Sequence, residues 1–421
     1  MGIRGTAAAT STDYPHPPRP LRVRANNLAG RAAARLGWGS GLDVDALLAS
    51  TQRKTGLSDF GGDGPLEALR LLVESINGEA DLTPTGRLVQ KSRLGGALIQ
   101  RLRIQDLLRR HPEIRDIDLG SVILIAGLQR TGTTLLHRLL FRNPDIDGVT
   151  GVEAIEPLPA GAVQGQRSGA SSRQAALAQH GVRYLSPDFN AIHPIDPAEP
   201  EEDVLLLDLS FMSQTPEATM HVPAYSRWLE EQDHTSAYSY LRRVLQVLRW
   251  QRPGKNLVLK TPHHMEYLDI FLKVFPDALV VQTHRDPRKT LPSFCSMVAH
   301  GRGIFSDRVD PAEIAAHWTR KTRRMVDLTM QTRDRANADQ FLDVSYYDLL
   351  DDPIGELRRI TERAGIGFDE EARAIAEQYL KAHPQNQFGR HRYHMGDFGL
   401  DEETIDREFA AYRARHAIPV E

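Results

Sequence analysis

Two glycines, Gly127 and Gly132, frame a turn that follows an apolar run and leads into Thr133 and Thr134. This pattern is typical of a phosphate-binding loop, in which backbone N–H groups at the start of a helix hold an anion. A nucleotide triphosphatase would carry a lysine directly after the second glycine. This chain carries Thr133 there, and the cation of the turn is Arg130. We therefore predict a nucleotide site that does not cleave a triphosphate.

The missing lysine also bears on the group that is transferred. Enzymes that transfer a γ-phosphoryl group handle its high negative charge with a lysine and Mg²⁺. A sulfuryl group carries less negative charge, so side-chain cations can move it without a metal. The loop is therefore consistent with sulfuryl transfer, although it does not by itself establish that reaction.

Arg285 and Ser293 form a second candidate site. Arg285 follows the apolar run 278–283, and Ser293 falls in the early turns of the helix predicted after it. Ligands of open α/β sheets bind at the carboxyl ends of the strands, and a guanidinium beside a hydroxyl suits a phosphate monoester. The competing interpretation is a surface arginine paired with Asp286 and a serine at a helix start. The phosphate-binding loop favours the functional interpretation.

The chain resembles the sulfotransferases that use 3′-phosphoadenosine 5′-phosphosulfate (PAPS), in particular the mostly bacterial branch related to tyrosylprotein sulfotransferases. The loop of that branch reads Arg-Thr/Ser-Gly-Thr-Thr-Leu, as residues 130–135 do here. Further motifs follow in the same order, at 152–157, 200–203, 258–264, 284–287 with Ser293, 388–393 and 397–400. The ordered set spans about 90–410 and is much more specific than any one motif.

The resemblance implies PAPS as the sulfuryl donor, with no metal required. The residues implied to bind its 5′-phosphosulfate are Arg130, Thr131, Gly132, Thr133, Thr134 and Leu135. Arg285 and Ser293 are implied to grip the 3′-phosphate, which excludes ATP. Arg390, in a late polar loop, is predicted to close over the same phosphate, and a solvated basic loop is the alternative.

Lys260 and Arg130 are predicted to be catalytic cations. Lys260 ends a predicted strand beside the loop that carries Arg130, so its ammonium can reach the bridging oxygen and stabilise the leaving phosphate. The resemblance implies the same role. A lysine that merely reaches solvent is the alternative.

The acceptor hydroxyl needs a general base, for which we predict Glu153. The family places this glutamate in a Trp-Glu-x-x-x-Pro context, and here Val152 replaces the tryptophan while the spacing to the proline is kept. Glu156 competes for the role. His263 and His264 are rivals, because some branches of the family use histidine, although a histidine at such a turn more often caps or packs.

The elements that must position these residues alternate between strand and helix. Apolar runs at 122–126, 256–259, 278–283 and 340–344 predict strands, and helical patterns follow them. We predict an α/β fold, a three-layer α/β/α arrangement around a parallel sheet with added helical segments. The predicted divisions are a disordered leader at 1–40, a helical layer at 41–118 and the sulfotransferase domain at 119–421, with a lid and acceptor insertion at about 160–250.

The composition excludes several other classes of protein. A net charge of −3 argues against nucleic-acid binding, and one cysteine excludes an internal disulfide framework. No apolar run is long enough for a membrane span, and we predict a cytoplasmic enzyme whose acceptor is a small-molecule, lipid or glycan hydroxyl. The alternatives are a kinase or nucleotide hydrolase with a degenerate loop, and a non-catalytic nucleotide-binding protein.

Overall fold

A parallel sheet lies at the centre of the molecule, and it confirms the predicted α/β class. The computed structural model describes residues 15–36, 41–166, 181, 184–185, 196–384 and 393–421. Five parallel strands pair in the order β2-β3-β1-β4-β5. Their bounds are β1 Val122–Ile125, β2 Ile146–Gly148, β3 Asn256–Lys260, β4 Leu279–His284 and β5 Phe341–Ser345. Strand β2 was not predicted, because three residues with a central aspartate give no apolar run.

Apolar side chains leave the sheet in both directions, as the three-layer prediction requires. In β1, Leu124 joins a large core on one face, whereas Ile123 and Ile125 join a smaller core on the other. A strand buried on both faces reads as a continuous apolar run, which explains why β1 was visible in the sequence. The sheet thus supplies two hydrophobic surfaces that helices cover.

Helices precede, connect and follow the strands, and they are numbered here within the described residues. Their bounds are α1 Leu21–Arg35, α2 Val44–Thr55, α3 Gly64–Glu79, α4 Pro84–Arg110, α5 Thr133–Phe141, α6 Gly151–Ile155, α7 Val204–Leu207, α8 Thr215–Thr219, α9 Pro223–Glu231, α10 Thr235–Gln251, α11 Leu268–Val274, α12 Pro287–Phe305, α13 Pro311–Arg333, α14 Tyr346–Asp351, α15 Pro353–Arg363, α16 Glu370–Ala382 and α17 Glu402–Arg415. Pro84 is the first residue of α4 and Pro65 is the second residue of α3, positions where a proline is tolerated.

The amino-terminal part differs from the predicted disordered leader. Residues Leu21–Arg35 form α1, and Asn27 of this helix accepts a hydrogen bond of 2.9 Å from the backbone N–H of Thr85. The Arg19 guanidinium donates to the carbonyl of Ser306 at 2.7 Å. The prediction of disorder rested on a composition rich in Ala, Pro and Arg, whereas the structure attaches this part of the leader through polar contacts.

Three strand ends meet at the edge of the sheet where the candidate site lies. In the paired register, Ile125 lies beside both Lys260 and Val281. The segments that follow β1, β3 and β4 therefore leave the sheet side by side. This adjacency places the loop at 127–134, Lys260 and Arg285 at one edge, as expected for a parallel sheet.

Candidate functional site

The loop after β1 has the backbone conformation of an anion-binding turn. Arg130 and Gly132 both have positive φ, at 69° and 87°, which turns the chain sharply before α5. Gly132 is the N-cap of α5 and makes no side-chain capping bond, so the first N–H groups of the helix point out of its end without a side-chain acceptor. Such N–H groups and the helix dipole favour an anion.

Two contacts hold the loop against β4. A Cβ on Gly127 would lie 1.9 Å from the Thr283 hydroxyl, so only glycine permits this approach. The Thr131 hydroxyl is fully buried and lies 2.6 Å from both the Thr283 hydroxyl and the Leu128 carbonyl. The side chain of Thr131 thus shapes the loop. Thr134, in contrast, is exposed at the helix start.

Arg285, Ser293, Tyr393 and Glu421 form what we call the β4 cluster. The Arg285 guanidinium donates to the Arg130 carbonyl at 3.1 Å. Tyr393 hydrogen-bonds with Ser293 and interacts electrostatically with both Arg130 and Arg285. The structure therefore brings together the residues predicted to bind the two ends of the donor, and it adds Tyr393. Arg390, the remaining predicted ligand, lies outside the described residues.

The alternative pairing of Arg285 with Asp286 is not what the structure shows. Asp286 caps α12 by accepting from the backbone N–H of Arg288 at 3.0 Å. Arg285 instead donates to Glu421, from Nε at 2.7 Å and from Nη2 at 3.0 Å. Burial opposes its charge, but this carboxylate raises the pKa of Arg285 above its ordinary value.

Lys260, Glu202, Asp203 and His264 form a second group, the β3 cluster. The Lys260 ammonium is almost fully buried and donates to Glu202 at 2.7 Å. Asp203 accepts from the Lys260 backbone N–H at 2.9 Å, and its other oxygen lies 2.7 Å from Nε2 of His264. Lys260 therefore does not merely reach solvent. The motif at 200–203 supplies its carboxylate partner.

Glu153, the predicted base, lies in a buried ion pair. Its carboxylate accepts from Nε and, at 3.0 Å, from Nη2 of Arg252. The same carboxylate accepts from the Thr150 backbone N–H at 3.0 Å, which completes a capping box at the start of α6. Burial lowers the pKa of Arg252 to about 10. Glu156, the competing carboxylate, contacts Arg103 at 3.3 Å.

The two histidines after β3 have different surroundings. His264 is fixed between Asp203 and the Tyr238 hydroxyl, which lies 2.9 Å from its Nδ1. His263 is fully buried, and neither ring nitrogen has a hydrogen-bond partner within the described part of the chain. Burial holds the pKa of His263 well below its usual range, so its ring is neutral. Both ring nitrogens of His264 are thus held by buried side chains.

One group of side chains has the spacing of metal ligands among the described residues. Its members are His284, Asp343 and His416. Arg333 donates to Asp343 at 2.9 Å, and His284 lies 2.8 Å from the same carboxylate. A guanidinium this close opposes a cation electrostatically, so the group is better described as an ion pair supported by two stacked imidazoles.

The aromatic residues of 204–250 are mainly core. Phe211, Tyr225, Tyr238, Tyr240 and Trp250 are all buried and belong to the large hydrophobic cluster. Their helical spacing is typical of residues that pack into a core, and it does not require an aromatic pocket for the acceptor.

Within the described residues, no helix is both long and apolar enough to cross a membrane.

Comparison with known proteins decides the family. The model of the sulfotransferase family matches residues 122–370, which contain every strand of the sheet. The chain belongs to the sulfotransferase family. The loop, Lys260 and Arg285 described above all lie inside the matched range. The protein is therefore a sulfotransferase enzyme, and the predicted class of reaction is confirmed.

Mycobacterial relatives carry the similarity beyond the matched range. The sulfotransferase STF1 from Mycobacterium tuberculosis is 34% identical with a TM-score of 0.73, covering 88% of this chain and 99% of that one. STF9 from Mycobacterium avium is 28% identical with a TM-score of 0.78, covering 90% and 97%. The omega-hydroxy-beta-dihydromenaquinone-9 sulfotransferase Stf3 of Mycobacterium bovis is 28% identical over 283 residues, 62% of this chain and 67% of Stf3.

Four residues of this sulfotransferase site escaped sequence reasoning. Glu202 and Asp203 were identified only as part of the motif at 200–203, without a role as partners of Lys260, and Arg252 and Glu421 gave no signal. The motifs at 200–203 and 258–264 both belong to the set that resembles the family. Their joint presence was the signal that could have suggested a contact between them. The contacts of Arg252 and Glu421 join distant parts of the chain, which no local pattern reveals.

Proposed function

We propose that this sulfotransferase moves the sulfuryl group of PAPS to a hydroxyl group of its acceptor by in-line displacement. The supporting observation is the meeting of three cations at one edge of the sheet. Arg130 follows β1, Lys260 ends β3 and Arg285 follows β4, and these three strands are neighbours. PAPS carries anionic groups at two positions, so it matches cations spread over adjacent strand ends.

The donor is proposed to lie across the loop and the β4 cluster. Backbone N–H groups of 131–135 would hold the 5′-phosphosulfate at the start of α5. Arg285 and Ser293 would hold the 3′-phosphate, with Arg390 closing over it. ATP has no 3′-phosphate and would lose these charge-assisted hydrogen bonds.

The chemical step is proposed to use side-chain cations and no metal. The acceptor oxygen attacks sulfur, and the bond from sulfur to the bridging oxygen of the 5′-phosphate breaks. Negative charge grows on that oxygen, where Lys260 and Arg130 would stabilise it. The contact between Lys260 and Glu202 fixes the direction of the ammonium.

Two carboxylates are candidates for the base that removes the proton of the hydroxyl. Glu153 is our proposal from the sequence, and its carboxylate accepts hydrogen bonds from Arg252. Glu202 is the alternative that the structure adds, because it lies against Lys260 and a quarter of its side chain is exposed. A base must come within hydrogen-bond reach of the hydroxyl, so the acceptor's position decides between them.

The acceptor is proposed to be a hydroxyl-bearing apolar molecule. The support is the relative named for omega-hydroxy-beta-dihydromenaquinone-9, whose similarity extends over two thirds of its own length. A glycan or a more polar small molecule is the alternative. Turnover with an isoprenoid alcohol, but not with a sugar or a tyrosine peptide, is the expected result of an acceptor screen.

A thermal-shift comparison tests the donor. We expect 3′,5′-adenosine bisphosphate (PAP) to raise the melting temperature without added metal, and Mg-ATP to raise it less. A larger shift with Mg-ATP would favour a kinase or nucleotide hydrolase and overturn the proposal. Transfer of radiolabelled sulfate from PAPS to an alcohol then tests catalysis directly.

The base is tested by comparing Glu153→Gln with Glu202→Gln. If Glu153 is the base, its variant loses about 10²–10⁴-fold in kcat while the affinity for PAP is kept. Melting curves of both variants control for the ion pairs that each substitution weakens. A fully active Glu153 variant beside an inactive Glu202 variant would transfer the role to Glu202.

A further inference from the structure

The Glu421 side chain occupies the face of Arg285 that suits a phosphate. Its two oxygens accept from Nε at 2.7 Å and from Nη2 at 3.0 Å, which is the paired geometry of a guanidinium with a carboxylate. The Tyr347 hydroxyl donates to the first of these oxygens at 2.8 Å. The backbone N–H of Glu421 donates to Asp286 at 2.8 Å. Four hydrogen bonds thus place this carboxylate on Arg285.

The rest of the Arg285 guanidinium is also engaged. Nη1 donates to the Arg130 carbonyl at 3.1 Å. The Tyr346 ring lies 4.0 Å from the guanidinium carbon and covers one face. The Nε and Nη2 groups of Arg285 already donate to Glu421. A phosphate that binds Arg285 therefore competes with Glu421 for the same N–H groups.

The chain leading to Glu421 is anchored beside this site. Helix α17 docks through Tyr412, whose hydroxyl lies 3.0 Å from Nδ1 of His284, the residue before Arg285. The His416 ring stacks on His284 with centroids 4.0 Å apart. Ala417 then adopts a positive φ of 48°, which is unfavourable for a non-glycine residue, and Ile418 is buried in the core. The turn directs the following residues toward Arg285.

We propose that Glu421 is an internal competitor of the 3′-phosphate, which sets the affinity for the donor and for its product. This inference rests on the proposed function, since it takes Arg285 as the 3′-phosphate ligand. A dianionic phosphate monoester displaces the single carboxylate and binds Arg285. After transfer, PAP still carries its 3′-phosphate, and the return of Glu421 favours its release. Nucleotides without a 3′-phosphate leave the pair of Arg285 and Glu421 intact. Their affinity does not change when Glu421 is removed.

The test is Glu421→Gln, titrated with PAP and with adenosine 5′-monophosphate by calorimetry. Removing a charged competitor is expected to tighten PAP binding on the order of tenfold. The affinity for the monophosphate is expected to stay unchanged. Glu408→Gln is the matched control. Glu408 also lies on α17, and its substitution removes the same charge from an ion pair with Arg323 of α13. It is expected to leave both affinities unchanged.

Two further variants locate the effect. In an Arg285→Ala background, Glu421→Gln is expected to leave PAP affinity unchanged, because the competitor acts through that guanidinium. Tyr347→Phe removes one donor to Glu421 and is expected to tighten PAP binding in the same direction by a smaller factor.

The outcomes separate this inference from the proposed function. If PAP binds and Arg285→Ala weakens it, but Glu421→Gln matches the wild type, the competitor is refuted and the donor proposal stands. Equal tightening by the Glu408 variant would also refute it, since the effect would then be one of net charge. If PAP binds neither the wild type nor Glu421→Gln, the donor proposal fails and this inference fails with it.

Discussion

The β3 and β4 clusters each pair a cation with a glutamate, but they do so in different settings. In the β3 cluster Lys260 is 3% exposed, and its backbone N–H donates to Asp203, the residue next to its partner Glu202. In the β4 cluster both Arg285 and Glu421 are 21% exposed. Water can solvate the separated ions of a partly exposed pair, so separating them costs less free energy than separating a buried pair. We therefore expect a ligand to replace the carboxylate on Arg285, whereas the β3 pair holds Lys260 in place.

The ion pair of Arg252 with Glu153 is buried, as Lys260 is. Its loss is expected to have a large effect on stability. Arg252→Ala removes the guanidinium that donates two hydrogen bonds to Glu153, and it removes one of the two arginines that pair with Asp147. We expect a loss of about 3 kcal/mol in the free energy of unfolding, measured by chemical denaturation. Lys255→Ala, which breaks an exposed pair with Asp145, is the control and should cost less than about 1 kcal/mol. Equal losses would remove the contrast between buried and exposed pairs.

The fixed cation is expected to matter for the reaction more than for donor binding. Lys260→Ala should lower kcat by about 10²–10³-fold, as loss of a transition-state donor does, while PAP affinity changes little. Sulfate-transfer assays and calorimetry measure the two quantities. A large loss of PAP affinity with unchanged kcat would place Lys260 in ground-state binding.

The exchangeable cation should behave in the opposite way. Arg285→Ala is expected to weaken PAP binding by about 10–100-fold, because charge-assisted hydrogen bonds to the 3′-phosphate are lost. Binding of adenosine 5′-monophosphate should hardly change. Equal losses for both nucleotides would mean that Arg285 acts on the loop, through the Arg130 carbonyl, and not on the phosphate.

A smaller, pH-dependent effect is expected from His263, beside the β3 cluster. Its pKa is lowered by burial, so the folded ring stays neutral while the ring in the unfolded chain takes up a proton below about pH 6.5. Stability conferred by the neutral ring is therefore present at neutral pH and falls as the pH drops through that value, by at most about 1.4 kcal/mol per pH unit. Melting temperatures of the wild type and His263→Phe between pH 7.5 and 5.5 test this. Parallel curves would contradict it.

The sequence by itself determined the fold class and the loop. The strands β1, β3 and β4 contain apolar runs because both faces of the sheet are covered, and this burial is visible in the residue types. The glycine spacing of 127–132 fixed the turn, since positive φ at Gly132 and the contact of Gly127 with Thr283 tolerate no side chain. These features are local, so a single sequence was sufficient to predict them.

Only the tertiary structure decided which charges are paired. Glu153 meets Arg252, Lys260 meets Glu202, and Arg285 meets Glu421, in each case across more than fifty residues of sequence. A carboxylate in a sequence carries no record of its partner, because the partner is set by how strands and helices pack. That choice determines whether a cation is fixed for chemistry or free to exchange its anion. It is therefore the packing around Lys260 and Arg285, and not their residue types, that divides the site into its two parts.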